Sequence, residues 1–258
     1  MNALLKAVSD NLLKVVTGAL TAGLIALVTY LFRAGSWTRG HQRARLFEDQ
    51  GDKFFQAEMW EAAVEQFKLA VDIWEEEVNQ SKMLPLYQKL GKAYNRAGEI
   101  DNALRSFMHC EVLWDAIKKV AKMEEVFFEL SQTYLGKQDL ERASHYIGKS
   151  VHLLRSQNSP RLPAALAMAA RIAKESGRPE QAENNYIDAV RVLESVGDTL
   201  GLASVYYELA EIKVSQKATD LASRYYMKSI ESYRNLGSTR AAEITEKLAS
   251  IVVASPRS

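Results

Sequence analysis

The histidines and the single cysteine are the residues whose chemistry would first suggest a metal centre or a catalytic site. No histidine has another four residues away, the spacing that places two zinc ligands on one helical face; the four are His41, His109, His145 and His152. No cluster of Cys, His and Asp with metal-ligand spacing accompanies them, and the isolated glycines form no phosphate-binding loop. The sequence therefore predicts no catalytic residues, no metal and no cofactor, and we expect that the chain is not an enzyme.

The composition is that of a globular chain without a disulfide scaffold. Of 258 residues, 47% are hydrophobic and 25% are charged. The single cysteine, Cys110, has no partner for an intrachain disulfide, and its position predicts a packed thiol. Residues 1–45 carry six Lys/Arg and one acid, whereas residues 46–258 carry 27 basic and 31 acidic side chains. Because no broad basic field exists, we predict that the protein does not bind nucleic acid.

The elements that would position any site repeat along the chain. An alanine is followed four positions later by an aromatic or aliphatic residue at steps of 40, 40, 39 and 40; the pairs are Ala63/Phe67, Ala103/Phe107, Ala143/Ile147, Ala182/Tyr186 and Ala222/Tyr226. A second marker, a large apolar residue eleven positions after each alanine, keeps the same register at Trp74, Trp114, Leu154, Leu193 and Tyr233. Two independent markers in one register indicate an internal repeat.

Within each unit, the apolar spacing predicts two helices around a turn, which lies at Gly98 in the second unit. One face of its first helix holds Tyr87, Leu90, Gly91 and Tyr94, and one face of its second helix holds Ala103, Phe107, Cys110 and Trp114. This order of residue types resembles the tetratricopeptide repeat (TPR) signature. The resemblance implies an all-α, TPR-type helical-repeat solenoid, with five helix-turn-helix units in residues 44–237 and a capping helix with a short tail in residues 238–258.

These units depart from the commonest TPR length of 34 residues. Such longer units are similar to those of kinesin light chains and of bacterial TPR regulators. We expect the extra residues to lie between the second helix of one unit and the start of the next.

Residues 15–32 form a candidate transmembrane anchor. They are 18 consecutive residues without a charge, which as a helix cover about 27 Å, close to the roughly 30 Å of a hydrocarbon core. A short amphipathic segment, residues 1–14, precedes them, and a basic juxtamembrane linker, residues 33–43, follows. A cleaved signal peptide and a buried soluble helix are the alternatives. Against a signal peptide, the run exceeds the usual apolar core of about 7–15 residues, and Arg33 follows it directly.

Basic residues at the ends of residues 15–32 predict the orientation of the span. Two lysines precede it and four arginines follow it, which places the repeats in the cytoplasm by the positive-inside rule. The predicted localisation is therefore a membrane, as a single-pass protein. Gly18, Ala22 and Ala26 recur every four residues and would allow two spans to approach closely in a homodimer. The alternative is the ordinary small-residue content of a membrane helix.

The resemblance also implies a peptide-binding groove, because TPR arrays bind peptides on a concave surface lined mainly by first helices. The residues at the groove positions are Asp52, Phe55, Lys92, Asn95, Arg96, Phe128, Leu135, Arg171, Lys174 and Tyr207. Positive pairs around an apolar middle predict a protein partner with an apolar anchor and acidic flanks. A solvated helical face is the alternative interpretation.

One known TPR binding mode does not suit this sequence. Chaperone-binding TPR domains hold a C-terminal carboxylate with lysine, arginine and asparagine. The corresponding positions here are acidic, and they are Glu48, Asp52, Glu125 and Glu129. Acids would repel a carboxylate, so we expect no chaperone-tail binding of this kind.

The sequence thus predicts a membrane-anchored TPR scaffold that docks partner proteins through the concave face without catalysis. Two alternatives remain open from the residues alone. One is a protein-targeting or import receptor on an organelle membrane, and the other is a periplasm-facing bacterial envelope assembly factor. Topology would separate the last from the other two.

Overall fold

The computed structural model describes residues 40–117 and 123–254, and within these ranges all regular structure is helical. In chain order the helices are α1 (40–56), α2 (Trp60–Glu76), α3 (Gln80–Ala97), α4 (Ile100–Ile117), α5 (Met123–Gly136), α6 (Leu140–Ser156), α7 (Leu162–Glu175), α8 (Pro179–Val196), α9 (Thr199–Ser215), α10 (Thr219–Asn235) and α11 (Arg240–Ala254). Residues 40–43, predicted as linker, are therefore already helical.

The predicted anchor lies outside the described residues. The same holds for segment 1–14 and for the small-residue stripe of Gly18, Ala22 and Ala26. Among the helices that the structure describes, none has the length and apolar character needed to cross a bilayer.

The chain divides into two compact units after Gly98. The boundary separates α3 from α4, the two helices of the second predicted repeat. Unit one therefore contains α1 to α3, and unit two contains α4 to α11. Each unit is built from helices that pack on their neighbours in sequence.

In unit one, α2 and α3 pack closely on each other, and α1 contacts both of them. Gly51 of α1 lies directly against the ring of Phe67 in α2, which is only 1% exposed. The His41 ring lies 4.7 Å from that of Trp74, and its Nε2 is 2.8 Å from a carboxylate oxygen of Glu77. Lys89 of α3 reaches back to two carboxylates of α1. These contacts fix α1 on the other two helices.

Unit two is a stack of helical hairpins. The helices α5 and α6, α7 and α8, and α9 and α10 pair closely, and α6 contacts α7 while α8 contacts α9. The alanines that mark the repeat are completely buried in both units, at positions 63, 103, 143, 182 and 222. Four of the five second markers are buried as well, whereas Trp114 is half-buried with its ring 6.2 Å from that of Phe127. The predicted register is therefore confirmed.

In two repeats a serine occupies the small-residue position that lies four residues before the second marker. Ser150 Oγ donates a hydrogen bond to the carbonyl of Glu124 at 2.7 Å, which ties α6 to α5. Ser229 Oγ donates to the carbonyl of Ala203 at 2.7 Å, which ties α10 to α9. Both hydroxyls are buried and their polarity is satisfied, so the helix crossings keep their close approach.

The last described helix, α11, covers one end of the stack. Its Ala241 and Ile244 are buried against α9 and α10, with Leu248 and Ile251 partly buried beside them. Glu243 on its other side is exposed. A terminal helix with one apolar and one polar face covers the end of a repeat stack that would otherwise expose its core.

The extra residues were expected between the second helix of one unit and the next unit, but the second helices are long and the described connections are short. Where the structure describes them, the connections after second helices hold only two to five residues, whereas the second helices are 17 or 18 residues long. Short connections suffice because single residues in the left-handed conformation reverse the chain. They are Glu58, Gly98, Gln138, Gly177 and Lys217 within repeats and Val78, Asn158, Gly197 and Gly237 between them.

Val78 is the least suitable residue for such a turn, because it is β-branched and has a φ of 54°. Its amide bonds the Glu75 carbonyl and the next amide bonds that of Trp74, both at 3.0 Å, so the turn fixes this conformation. Since the side chain is 76% exposed, little packing is lost on its removal. We expect Val78→Gly to raise the free energy of unfolding by about 0.5–1 kcal/mol, the relieved strain less the added chain entropy of glycine.

Val112→Gly is the matched control for this turn. Val112 is 68% exposed as well, but it lies inside α4. Glycine there should lower stability by up to about 1 kcal/mol. Denaturant unfolding of both variants tests the assignment, and a loss of stability in Val78→Gly would contradict it.

Candidate protein-docking surface

The first helices of three consecutive repeats in unit two are α5, α7 and α9, and α5 contacts α7 directly. The solvent-accessible sides of these three helices form the first-helix surface. Five of the predicted groove residues belong to these helices. They are Phe128 and Leu135 on α5, Arg171 and Lys174 on α7, and Tyr207 on α9.

On α5 the structure supports one of the two predicted positions as accessible. Phe128 is half-buried and presents part of its ring to solvent. Leu135 is only 6% exposed and belongs to the core, so its prediction as a groove residue is wrong. Thr133, Tyr134 and Leu135 are all buried in succession, because this end of α5 is covered on more than one side. The groove positions that the TPR resemblance implies could not reveal this additional burial.

On α7 both predicted residues are exposed. The guanidinium of Arg171 contacts Met168 Sδ at 3.1 Å, and Lys174 Nζ lies 3.3 Å from a carboxylate oxygen of Glu208 on α9. Burial raises the pKa of the Tyr186 phenol, Glu208 adds to the rise, and Arg171 opposes it. These cations therefore lie close to a buried phenol and an acid, and they are accessible from solvent.

Two alanines on α7 belong to the same surface, although sequence reasoning missed them. Ala164, Ala167, Arg171 and Lys174 are spaced i, i+3, i+7 and i+10, so they share one face of the helix. Ala164 is exposed and Ala167 is half-buried. Small side chains on that face leave room for a bulky side chain of a ligand. The alanines of α7 gave only a weak signal in the sequence, because a core helix is also rich in alanine.

On α9, Tyr207 is half-buried and engaged with the last helix. Its hydroxyl accepts a hydrogen bond from Lys247 Nζ at 3.0 Å, and Arg240 lies over its ring, 5.5 Å from the centroid. Lys247 Nζ is also 2.7 Å from a carboxylate oxygen of Glu211. Burial raises the pKa of Glu211, but hydrogen bonds from Lys247 and Tyr226 outweigh it and lower that pKa. This end of the first-helix surface is therefore an ordered polar network.

A further ion pair joins α9 to α8. Lys213, at the position where the TPR signature has a tyrosine, lies 2.7 Å from a carboxylate oxygen of Glu183 and is 12% exposed. The pair occupies the place of the aromatic ring at this helix crossing. It points into the stack and forms no part of the docking surface.

The remaining predicted groove residues belong to unit one. On α1, Asp52 accepts a hydrogen bond from Lys89 at 2.7 Å, and the ring of Phe55 packs edge-on against Trp60 at 5.0 Å. On α3, Lys92 and Asn95 are half-buried and Arg96 is exposed. These residues are accessible within their own unit. The predicted groove spans both units, and its continuity stays a prediction.

The potentially metal-binding side chains of the described residues form no group of three that could hold a metal ion. Burial raises the pKa of the Cys110 thiol to about 12, so it is protonated and unreactive at neutral pH, as expected for a packed thiol. His41 pairs with Glu77, and the other three histidines are exposed. A polar recess of about 410 Å³ beside His145 and Arg178 is shallow and open.

Comparisons with known proteins support the helical-repeat fold. A family model described as tetratricopeptide repeat matches residues 161–235, which contain α7 to α10. The fold is that of tetratricopeptide repeats. The crystal structure of MamA is similar at a TM-score of 0.60 and 16% identity, over 75% of this chain and 93% of that one. No curated protein matches the chain by sequence.

Two further solved structures have higher TM-scores, and this chain covers a smaller share of each of them. A STAND signal-transduction ATPase with a tetratricopeptide repeat sensor from Pyrococcus horikoshii has a TM-score of 0.70 and 18% identity, over 84% of this chain and 34% of that chain. Aspartyl phosphate phosphatase F from Bacillus subtilis has a TM-score of 0.69 and 14% identity, over 88% and 60%. At these identities the likeness shows the fold alone.

Proposed function

We propose that this protein is a membrane-anchored TPR scaffold that docks a partner protein on its first-helix surface and catalyses no reaction. The observation that carries the proposal is the face of α7. Ala164, Ala167, Arg171 and Lys174 lie along it, and none of the four is buried. Since the core does not require this pattern, the face is available for a ligand.

The chemistry of the surface favours a particular class of partner segment. Phe128 offers part of an aromatic ring, and the alanines of α7 leave space beside the two cations. A segment with one bulky apolar side chain flanked by Asp or Glu would complement both features. Exposed charge pairs contribute little to affinity, so the apolar anchor should dominate binding.

The proposal predicts different losses of affinity for two variants of the first-helix surface. Peptides selected by display on the full-length protein in detergent should share an apolar residue with acidic flanks. We expect Phe128→Ala to weaken binding of such a peptide by about tenfold or more, because a partly desolvated aromatic anchor is lost. Arg171→Glu should weaken it by about two- to fivefold, and added salt should reproduce most of that effect.

Matched controls lie on α10, a second helix. Met227→Ala removes a side chain that is 54% exposed, and Arg224→Glu reverses an exposed charge. Fluorescence anisotropy should give wild-type affinity for both controls. If all four variants keep their helical signal by circular dichroism and bind alike, the peptide docks elsewhere.

The anchor rests on the sequence of residues 15–32 alone, and topology is its test. We expect the full chain to stay in the membrane pellet after carbonate extraction. We also expect that protease added to the cytoplasmic side of intact membranes digests the repeats. Recovery of the uncleaved protein in the supernatant would overturn the anchor. Protection of the repeats would instead favour the periplasm-facing envelope factor over the cytoplasmic scaffold and the organelle receptor.

A further inference from the structure

The helix α1 is the first that the structure describes, so no described helix comes before it in the chain. Three exposed or half-buried apolar side chains and two exposed cations follow one another along it at helical spacing. This α1 stripe consists of Arg43, Leu46, Phe47, Gln50, Lys53 and Phe54, spaced i, i+3, i+4, i+7, i+10 and i+11. Leu46 is 54% exposed.

The acids of α1 are placed away from this stripe. Glu48 and Asp52 turn toward α3, where Lys89 Nζ lies 2.8 Å from an oxygen of the first and 2.7 Å from an oxygen of the second. The third acid, Asp49, is exposed on the adjacent face. The α1 stripe itself carries two positive charges and no negative one. A basic and apolar helix side of this kind suits the interface of an anionic membrane.

The position of α1 in the chain indicates which surface it would meet. The proposed span ends at residue 32 and α1 begins at residue 40, so the connecting chain reaches at most about 28 Å. That chain carries two more arginines, Arg33 and Arg39. A helix tethered at this distance stays near the headgroups, where basic side chains are attracted and apolar ones insert.

We propose that the α1 stripe lies on the surface of the anionic lipid bilayer that holds the anchor. The inference rests on the proposed anchor, because without it α1 has no bilayer beside it. Leu46, Phe47 and Phe54 would enter the headgroup region, while Arg43 and Lys53 contact lipid phosphates. Contact along the stripe would orient unit one relative to the membrane.

The test uses the full chain in vesicles of phosphatidylcholine and phosphatidylglycerol that contain a nitroxide-labelled lipid. Cys110→Ala provides a cysteine-free background, since alanine occupies the equivalent place at Ala70 and Ala189. A fluorophore on Gln50→Cys reports the stripe, and one on Glu65→Cys, exposed on α2, is the control. We expect the lipid nitroxide to quench the label at position 50 and to leave position 65 unquenched.

Charge reversal separates lipid contact from mere proximity. Arg43→Glu with Lys53→Glu should remove the quenching at position 50, whereas Lys68→Glu on α2 should leave it unchanged. If the protein resists carbonate extraction but position 50 is never quenched, the inference fails and the proposed anchor stands. If the protein is extracted by carbonate, both fail. If position 50 is shielded from iodide but unquenched by lipid, protein covers the stripe and the inference is overturned.

Discussion

Ala222→Trp is expected to lower the free energy of unfolding by about 3 kcal/mol or more. Ala222 is completely buried where α9 and α10 cross, in a cluster with Ala203, Ala210 and Tyr226. An indole at this crossing can be accommodated only if the two helices move apart. Because each repeat is stabilised by its neighbours, the last repeat and α11 should then open before the rest of the stack.

Ala242→Trp is the matched control for that substitution. Ala242 lies on the exposed side of α11, so the indole meets solvent and stability should change by less than about 0.5 kcal/mol. Denaturant unfolding followed by circular dichroism measures both variants in the full chain. An unchanged midpoint for Ala222→Trp would contradict the repeat register.

Gly51→Ala is expected to destabilise unit one by about 1–3 kcal/mol, although alanine is the better helix former. A Cβ atom at position 51 would lie 2.5 Å from Cε1 of Phe67, which is buried and cannot move without disturbing its neighbours. Glycine at this position is thus required by the close approach of α1 and α2. The loss should appear as earlier unfolding of α1 in hydrogen exchange.

The same substitution at Gly148 should have the opposite sign. Gly148 is exposed inside α6, and a Cβ atom there would meet nothing within 4 Å. Gly148→Ala should therefore raise stability by up to about 1 kcal/mol through helix propensity alone. If both alanines stabilise the protein, α1 does not pack on Phe67 as described.

The helical architecture was predictable because its determinants are local and periodic. An alanine at each crossing and a large apolar residue eleven positions later recur at nearly constant steps, and all five alanines and four of the five apolar residues are buried. Whether an individual side chain is buried or exposed was harder to predict. Leu135 was expected in the groove, but its burial depends on how neighbouring helices cover the end of α5.

Partners that lie far apart in sequence were beyond sequence reasoning. Lys213 visibly departs from the TPR signature, yet its carboxylate partner Glu183 is 30 residues away and could not be chosen among many acids. The pairing of Lys89 with Glu48 and Asp52 is similar, since it depends on how α1 packs on α3. Likewise, left-handed turns at Val78 or Lys217 give no sequence signal, because neither residue favours that conformation.

Site-specific photo-crosslinking in native membranes tests the docking proposal most directly. A photoreactive amino acid replaces Arg171 on the first-helix surface or Arg224 on α10, and the adducts are compared before and after addition of an acidic peptide with an apolar anchor. We expect a discrete protein adduct from position 171 that the peptide suppresses, and none from position 224. An adduct from position 224 alone, unaffected by the peptide, would contradict it.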